Sequence, residues 1–262
     1  MRQLIQRFAI FAAFAFWLAL PSWANTVTLA AQAGAYGTTN TTNTIALPAY
    51  NQAAGHCIVL MMSSYGFLPC CGTVGGVTDT AGNSYPNPGQ IYAGFGSPNS
   101  NYQEAWFIGN VLGNAANVIT VNFGASGVPP GSFTEYAQAF YYDITPPCYG
   151  VDYSNVTTAG STNPSLTLSL TTHHPLEAIF TFATDSILAN PNLTAITAPS
   201  GFTASSIEPS SPTGISVAAY ELVSTTQSSV NITWSSATTA VNGMMLMSIN
   251  LTPPGGNRSQ YY

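Results

Sequence analysis

The sequence predicts an all-β protein, a jelly-roll-like β-sandwich. Val, Ile, Thr, Phe and Tyr are abundant, and turn-forming Gly, Pro, Asn and Ser recur about every 8–12 residues. Helical periodicity is almost absent, because apolar residues alternate with polar ones or form short blocks. Many short strands between turn signals are typical of sandwiches and closed all-β folds.

Two kinds of strand are distinguished by their patterns. Residues 166–170 and 230–234 alternate between apolar and polar, which predicts strands with one wet face. Residues 58–62 and 244–247 are continuous apolar runs, which predict central strands that are buried on both faces. In chain order the predicted strands are 26–31, 56–63, 76–79, 103–111, 117–123, 134–144, 165–171, 177–183, 216–224, 229–234 and 243–250.

The predicted elements repeat in the same order in the two halves of the chain. Each half contains a strand, a turn, a strand, a tight turn, a strand and a return strand. We therefore expect two duplicated four-strand units that pack as the two sheets of one sandwich. The aligned segments are 55–62 with 175–182, 77–84 with 196–203, 104–108 with 218–222, 118–123 with 229–234, and 136–142 with 243–249.

Residues 1–24 predict a secretory signal peptide. Arg2 and Arg7 precede the apolar run of residues 8–20, and Ser22-x-Ala24 is a small-residue cleavage site. The apolar run is shorter than the roughly 20 residues that a membrane span needs. We expect residues 25–262 to form a single exported domain with a short flexible C-terminal tail, secreted or at the cell surface and not inserted in a membrane.

The charge balance excludes several partners. Without residues 1–24 the chain holds one arginine, Arg258, no lysine and nine acidic residues, so its net charge is −8. Nucleic-acid binding depends on Lys and Arg side chains that neutralise phosphates, and anionic membrane surfaces have the same requirement. Hydrophobic residues make up 46% of the chain, which is enough for a core.

The four cysteines, Cys57, Cys70, Cys71 and Cys148, are predicted to form structural disulfides in an exported protein. A bond between the adjacent Cys70 and Cys71 is strained and rare. Two pairings remain, in which Cys57 and Cys148 each bind one member of that adjacent pair. A zinc site is disfavoured because no C-x-x-C or C…H ligand spacing is present.

The segment Asp79–Tyr85 has the pattern D-x-x-G-N-x-Y. With the segments that follow it, the chain resembles a group of secreted bacterial proteins that have no assigned activity. The match covers residues 55–251 and departs at Ala137-Gln138, where the group has Ser-Gly. The resemblance implies a β-sandwich in an exported bacterial protein. The other matching segments are an aromatic strand that ends at Asn110, Gly113-Asn114, residues 118–123, Glu135-Tyr136 and Val151-Asp152.

Candidate ligand-binding residues are a carboxylate and aromatic rings. Glu104 and Trp106 are two residues apart on one predicted strand, so they share a face. A carboxylate beside an aromatic ring suits a sugar platform, and the same pattern fits an ordinary half-buried strand. Tyrosines that crowd residues 136–153 suggest a sugar-binding or adhesive surface. The candidates there are Glu135, Tyr136 and Tyr141, in a region that also contains Phe140, Tyr142, Tyr149 and Tyr153.

Metal and catalytic signals are weak. Asp79 and Asn83 could supply oxygens to Ca²⁺, but Asp, Gly and Asn at these offsets also suit a tight turn, and the turn is favoured. His173 and His174 precede Pro175 between two predicted strands, so they are predicted to lie in a surface turn. A metal-ligand pair is disfavoured, because adjacent strand residues point to opposite faces. His56 beside Cys57 could suggest a nucleophilic pair, but Cys57 is expected to be disulfide-bonded. No cofactor is expected.

We therefore expect a non-catalytic extracellular module whose partner is a glycan or another copy of the chain. The alternative is a polysaccharide-acting hydrolase or lyase on a jelly-roll scaffold. That activity would require scattered carboxylates, such as Glu104, Glu135, Asp143 and Asp152, to converge in a groove.

Overall fold

The computed structural model describes residues 25–36, 44–67, 74–85, 91–94, 99–123, 136–158, 164–185, 196–206, 215–236 and 243–253. These residues form β-strands and no helix, so the all-β class is confirmed, and a membrane-spanning helix is absent from them. The strands are β1 (Val27–Tyr36), β2 (Thr44–Ala46), β3 (Tyr50–Gln52), β4 (Cys57–Phe67), β5 (Gly76–Asp79), β6 (Ile91–Gly94), β7 (Asn99–Ile108), β8 (Asn114–Asn117), β9 (Ile119–Asn122), β10 (Tyr136–Ile144), β11 (Val151–Thr158), β12 (Ser165–Leu170), β13 (Glu177–Asp185), β14 (Ile196–Thr197), β15 (Thr203–Ala204), β16 (Ile215–Val223), β17 (Val230–Ser236) and β18 (Gly243–Asn250).

These strands form two large sheets and two smaller ones, all antiparallel. Inner sheet I has the order β1-β10-β4-β7-β6, and inner sheet II has the order β11-β18-β13-β16-β15. Outer sheet I has the order β2-β9-β5, and outer sheet II has the order β12-β17-β14. The short strands β3 and β8 form a separate pair.

Alternating side chains arrange the four sheets as layers. On β4, Val59 and Met61 belong to a core shared with inner sheet II, whereas Ile58, Leu60 and Met62 face outer sheet I. On β18, Met245 and Met247 face the shared core, whereas Met244 and Leu246 face outer sheet II. The prediction that these apolar runs are strands buried on both faces is confirmed.

The shared core is aromatic and joins the two halves of the chain. Phe140 and Phe182 lie with ring centroids 5.5 Å apart, and Tyr142 lies 5.3 Å from Phe180 and 5.7 Å from Tyr220. The first residue of each pair belongs to inner sheet I and the second to inner sheet II. Burying one such side chain stabilises the fold by about 1.5–3 kcal/mol.

A polar layer crosses the same interface toward the ends of β4 and β13. The hydroxyls of Ser63 and Ser216 both donate to the side-chain oxygen of Gln138, and the amide of Gln103 donates to Thr184 Oγ1 at 2.7 Å. All five residues are at most 1% exposed. Because a buried polar group is costly without a partner, these bonds restrict how the two inner sheets can be aligned.

The two halves share one strand order. The two inner sheets have corresponding strand orders. Strands β11, β18, β13, β16 and β15 of inner sheet II correspond in order to β1, β10, β4, β7 and β6 of inner sheet I. In the outer sheets, β12, β17 and β14 correspond in the same way to β2, β9 and β5. The layers differ from the expected two-sheet jelly roll, because each half forms two sheets rather than one.

Part of the sequence alignment between the halves is one residue out of register. It places Val59 on Ile179, but Val59 faces the shared core and Ile179 faces outer sheet II. It likewise places Trp106, which faces outer sheet I, on Tyr220, which packs on the shared core. A shift of one residue exchanges the two faces of a strand, and apolar residues on both faces hide such an error in the sequence.

Strand β11 lies in a Pro- and Gly-rich stretch that was not predicted to contain a strand. Its residues pair with β18 along the edge of inner sheet II. The shorter strands β2, β3, β6, β8, β14 and β15 were also not predicted, since two to four residues carry little periodic signal. The signal-peptide segment, most of the C-terminal tail, Cys70, Cys71 and Glu135 lie outside the described residues.

The described cysteines form one disulfide, Cys57–Cys148, and the predicted pairing for these two residues is wrong. Cys57 begins β4 directly opposite Ile144 of β10, and Cys148 follows four residues after that strand ends. The two cysteines therefore meet without a contribution from Cys70 or Cys71. A structural disulfide is favoured in an oxidising, extracellular compartment.

We predict that replacing both Cys57 and Cys148 by Ser lowers the free energy of unfolding by about 4–5 kcal/mol. The bond joins residues 91 positions apart, so it removes much conformational freedom from the unfolded chain. Denaturant titration of wild type and variant measures the loss, and peptide mapping without reduction should recover the Cys57–Cys148 peptide. Recovery of Cys57 joined to Cys70 or Cys71 would contradict the assigned pairing.

We also predict that Phe180→Ala lowers the free energy of unfolding by about 3–5 kcal/mol, because it leaves a cavity in the shared core. Leu222→Ala is the control on a neighbouring strand, since Leu222 is 39% exposed, and its effect should stay within about 0.5 kcal/mol. Both are measured by denaturant titration, and equal losses in the two variants would contradict the shared core.

Candidate functional site

Glu104 and Trp106 share a face, but neither is at the surface. The indole N–H of Trp106 donates to Glu104 Oε1 at 2.5 Å, and the backbone N–H of Val74 donates to Glu104 Oε2 at 3.3 Å. Glu104 is 3% exposed and Trp106 is fully buried. Strand β7 is an interior strand whose outward face is covered by outer sheet I. A sugar cannot stack on Trp106 in this position, so the predicted platform is wrong.

The predicted tyrosine surface is largely core. Tyr141 is 1% exposed and packs edge-on against Tyr50, while Phe140 and Tyr142 lie in the shared core. Burial raises the pKa of Tyr141, and the nearby charge of Asp143 raises it further. Alternation along β10 buries these rings because both faces of inner sheet I are covered. Tyr136 begins β10, Tyr149 is 42% exposed and Tyr153 is half-buried.

Asp79 forms the centre of a hydrogen-bonded turn. Its carboxylate accepts from the backbone and side-chain nitrogens of Asn83 at 2.9 and 2.7 Å, from Tyr85 Oη at 2.8 Å and from Asn117 Nδ2 at 3.2 Å. Burial alone would raise the pKa of Asp79, but these hydrogen bonds lower it below its ordinary value. Gly82 has a φ of +81°, which a side chain would strain. The D-x-x-G-N-x-Y motif thus fits a turn, and its oxygens are already occupied by donors.

A second carboxylate, Asp143, ends β10 and contacts three side chains. His56 Nδ1 lies 3.1 and 3.0 Å from its two oxygens, Gln52 Nε2 donates to Oδ1 at 2.9 Å, and Tyr50 Oη donates to Oδ2 at 3.5 Å. Asp143 is buried, and His56 is one-fifth exposed. Burial raises the pKa of Tyr50, and so does the charge of Asp143. His56 thus contacts a carboxylate, while Cys57 is disulfide-bonded.

A third cluster contains His173, His174, Asp152 and Glu177. His173 Nδ1 lies 2.9 Å from Asp152 Oδ2, and His174 Nε2 lies 3.3 Å from Asp152 Oδ1. Glu177 Oε1 accepts from the backbone nitrogens of His173 and His174 at 3.0 and 2.9 Å. The two histidines lie in the turn before β13, as the sequence predicted, and this turn brings both rings to one carboxylate.

Glu177 is the buried acid of this cluster. Its pKa is raised chiefly by burial and also by the neighbouring Asp152, although hydrogen bonds from Ser248 and from the backbone of His174 lower it. Among the described residues, however, no group of three or more His, Cys, Asp or Glu side chains is arranged to hold a metal ion. The cluster is therefore a set of ionisable contacts at the start of β11 and β13.

The described acids that an enzyme reading of the sequence would bring together, Glu104, Asp143 and Asp152, do not converge in one groove. Glu104 pairs across from Met62 and Asp143 from Ile58, which places them four residues, or about 13 Å, apart along β4. Asp152 belongs to inner sheet II. A cavity of about 480 Å³ beside the segment that joins the two halves is lined mostly by apolar groups, and its lining contains no acid or histidine. Its lining residues are Asn25, Pro146, Pro147, Leu176, Leu251 and Pro253.

Each outer sheet has an outer face with exposed polar side chains. On outer sheet II, Thr167 Oγ1 lies 2.7 Å from Thr233 Oγ1, and Ser169 Oγ donates to Asn231 Oδ1 at 2.7 Å. On outer sheet I, neighbouring strands align Ala46, Thr120 and Thr78 in one row and Thr44, Asn122 and Gly76 in the next. The strands of both outer sheets contain one charged residue, Asp79, whose carboxylate lies in the turn described above.

The sequence contained a signal for one of these surfaces. Residues 166–170 and 230–234 alternate cleanly, and their polar positions are the exposed row of outer sheet II. The alternation predicts one wet face for each strand but not that the two strands pair and combine these faces into one surface. The Asp152 cluster had no local signal, because Asp152 is 21 to 25 residues from the other three members and meets them only when β11 and β13 share a sheet.

We predict that the stability of the protein falls as pH rises through the raised pKa of Glu177. The protonated acid suits its buried site, so the stabilisation is complete below the ordinary glutamate pKa and is lost as the folded-state carboxyl ionises. Glu177→Gln keeps the oxygen that accepts from His173 and His174 and removes the ionisation. Its free energy of unfolding should therefore decline less than that of wild type between about pH 4.5 and pH 7.5. Parallel declines in the two proteins would contradict this.

Comparison of the chain with protein-family models, with curated proteins and with solved structures finds no match. The resemblance of residues 79–85 and the segments after them to secreted bacterial proteins stays a prediction.

Proposed function

We propose that this protein is a secreted, non-catalytic module that contacts neutral polysaccharide through the outer faces of its outer sheets. The observation that carries the proposal is the chemistry of those faces. They expose hydroxyl and amide groups, including Ser165, Thr167 and Thr233 on outer sheet II and Thr78 and Asn122 on outer sheet I. Such groups both donate and accept hydrogen bonds, as the hydroxyls of a sugar polymer do.

The lack of charge supports a neutral partner. Solubility in most proteins comes from abundant Lys, Arg, Asp and Glu on the surface. Here charged residues are 5% of the chain. Glu104 is buried, and Asp79, Asp143 and Asp152 lie in a turn and in side-chain clusters rather than on the outer faces. An anionic polymer would meet an acidic protein with almost no cations, whereas a neutral one meets no repulsion.

Export is supported by two features. Residues 1–24 have the pattern of a signal peptide, and Cys57–Cys148 is a bond that an oxidising compartment maintains. Both features suit a protein that works outside the cell, where polysaccharides are accessible.

The non-catalytic part of the proposal rests on how the acids are engaged. Glu104 is held by Trp106 and Val74, Asp79 by the turn, and Asp143 by Gln52 and His56.

One arrangement favours the polysaccharide-acting enzyme as a second candidate. Asp152 and Glu177 are neighbouring carboxyls and one has a raised pKa, as a glycosidase acid has.

Sedimentation with insoluble polysaccharides tests the proposal. Residues 25–262 are mixed with cellulose, chitin or β-1,3-glucan particles, and the bound fraction and any released sugar are measured. We expect saturable binding to at least one polymer, little change between low and high salt because no ion pairs are used, and no release of sugar. Absence of binding to all three polymers contradicts the proposal. Release of sugar that Asp152→Asn or Glu177→Gln abolishes would instead establish the enzyme.

A further inference from the structure

The internal repeat places two sheets of the same strand order on opposite sides of the molecule. Outer sheet I packs on inner sheet I, outer sheet II packs on inner sheet II, and the inner sheets meet in the shared core. Packed sheets are about 10 Å apart, so the two outer faces are separated by three spacings, or about 30 Å. One sugar chain lying on one face therefore does not reach the other.

The central strands of the two outer sheets have matching residues. Phe123 follows the last residue of β9 and is 1% exposed, and Trp234 on β17 is fully buried. Each ring points into the core of its own half, and the residue just before it, Asn122 or Thr233, is exposed. The two outer faces thus present hydrogen-bonding side chains at equivalent positions. Asn122 lies between Thr44 and Gly76 on the neighbouring strands, and Thr233 lies beside Thr167.

We propose that the protein is bivalent, and that it cross-links two neutral polysaccharide chains by binding one at each outer face. This inference rests on the proposed function, since it needs the outer faces to bind polymer. A neutral polymer is the occupant because the described strands of the outer sheets contain no cation that would bind an anionic chain. Their one acid, Asp79, is already hydrogen-bonded in its turn, so they offer no free acid to a cationic chain. Two equivalent faces that point in opposite directions cannot both bind one straight chain, so double occupancy joins separate chains.

The test uses a matched pair of variants, Asn122→Arg on outer sheet I and Thr233→Arg on outer sheet II. Each puts a long charged side chain in the middle of one face. Ala115→Arg in the first half and Thr226→Arg in the second are the controls, since both residues are exposed and lie off the outer faces. Polymer particles that bind the protein are incubated with it and then with a fluorescent soluble form of the same polymer. The pairs are cellulose with hydroxyethylcellulose, chitin with glycol chitin, and β-1,3-glucan with laminarin.

We expect wild type and both controls to retain the soluble polymer on the particles. Each single-face variant should still bind the particles, within about threefold of wild type, but should retain about tenfold less soluble polymer. The double variant should bind neither. These results support two independent, equivalent faces.

Three results would overturn the inference. In the first, one variant abolishes particle binding while the other changes nothing, so that a single face binds. In the second, the single-face variants retain as much soluble polymer as wild type. In the third, sedimentation without polymer shows self-association, so that paired copies rather than two faces produce the retention. Absence of particle binding by wild type is a separate outcome, which contradicts the proposed function as well.

Folding of each variant is checked by its thermal unfolding midpoint. Thr78→Arg and Thr167→Arg form a second pair on the same two faces, with both side chains exposed. They replace the first pair if either of its members unfolds at the assay temperature, and the same outcomes then decide the inference.

Discussion

The burial of both faces of two five-stranded sheets is the constraint on which the rest of this structure depends. Strands β4 and β18 are apolar at nearly every position, so each inner sheet must be covered twice. One cover is a small outer sheet from the same half, and the other is the inner sheet of the other half. Neither half could leave the aromatic face that contains Phe140 or Phe180 in water. The two inner sheets therefore pack against each other in one shared core.

This layering also determines where ionisable groups can lie. The sheet faces that meet in cores exclude unpaired charges, so the buried acids have hydrogen-bond donors beside them. Glu104 within β7 accepts from Trp106 and Val74, and Asp143 near the end of β10 accepts from Gln52. Asp143 and Asp152 flank the crossover between the halves, and each contacts histidine. Cys148 lies between them and ties the crossover to the start of β4. The ionic contacts and the disulfide thus hold the crossover against both halves.

Because the acids lie elsewhere, the outer faces of the two outer sheets are almost free of charge. Their hydroxyls pair across strands, as Thr167 does with Thr233, so the faces are ordered before any ligand arrives. A pre-ordered surface loses little conformational entropy on binding, which suits weak contacts repeated along a polymer. The proposed binding and the proposed cross-linking both follow from these faces, and neither depends on the crossover clusters.

Much of the local structure was determined by the sequence itself, because strand periodicity is a local property. Alternation at residues 166–170 predicted a half-exposed strand, continuous apolar runs predicted doubly buried ones, and the repeated order of elements predicted matching halves. Contacts between distant segments were decided by the tertiary structure alone. Cys57 meets Cys148 because β4 and β10 are neighbours, and His173 and His174 meet Asp152 because a turn and an edge strand adjoin. Glu104 and Trp106 share a face as their spacing required, but only the covering outer sheet decided that this face is buried.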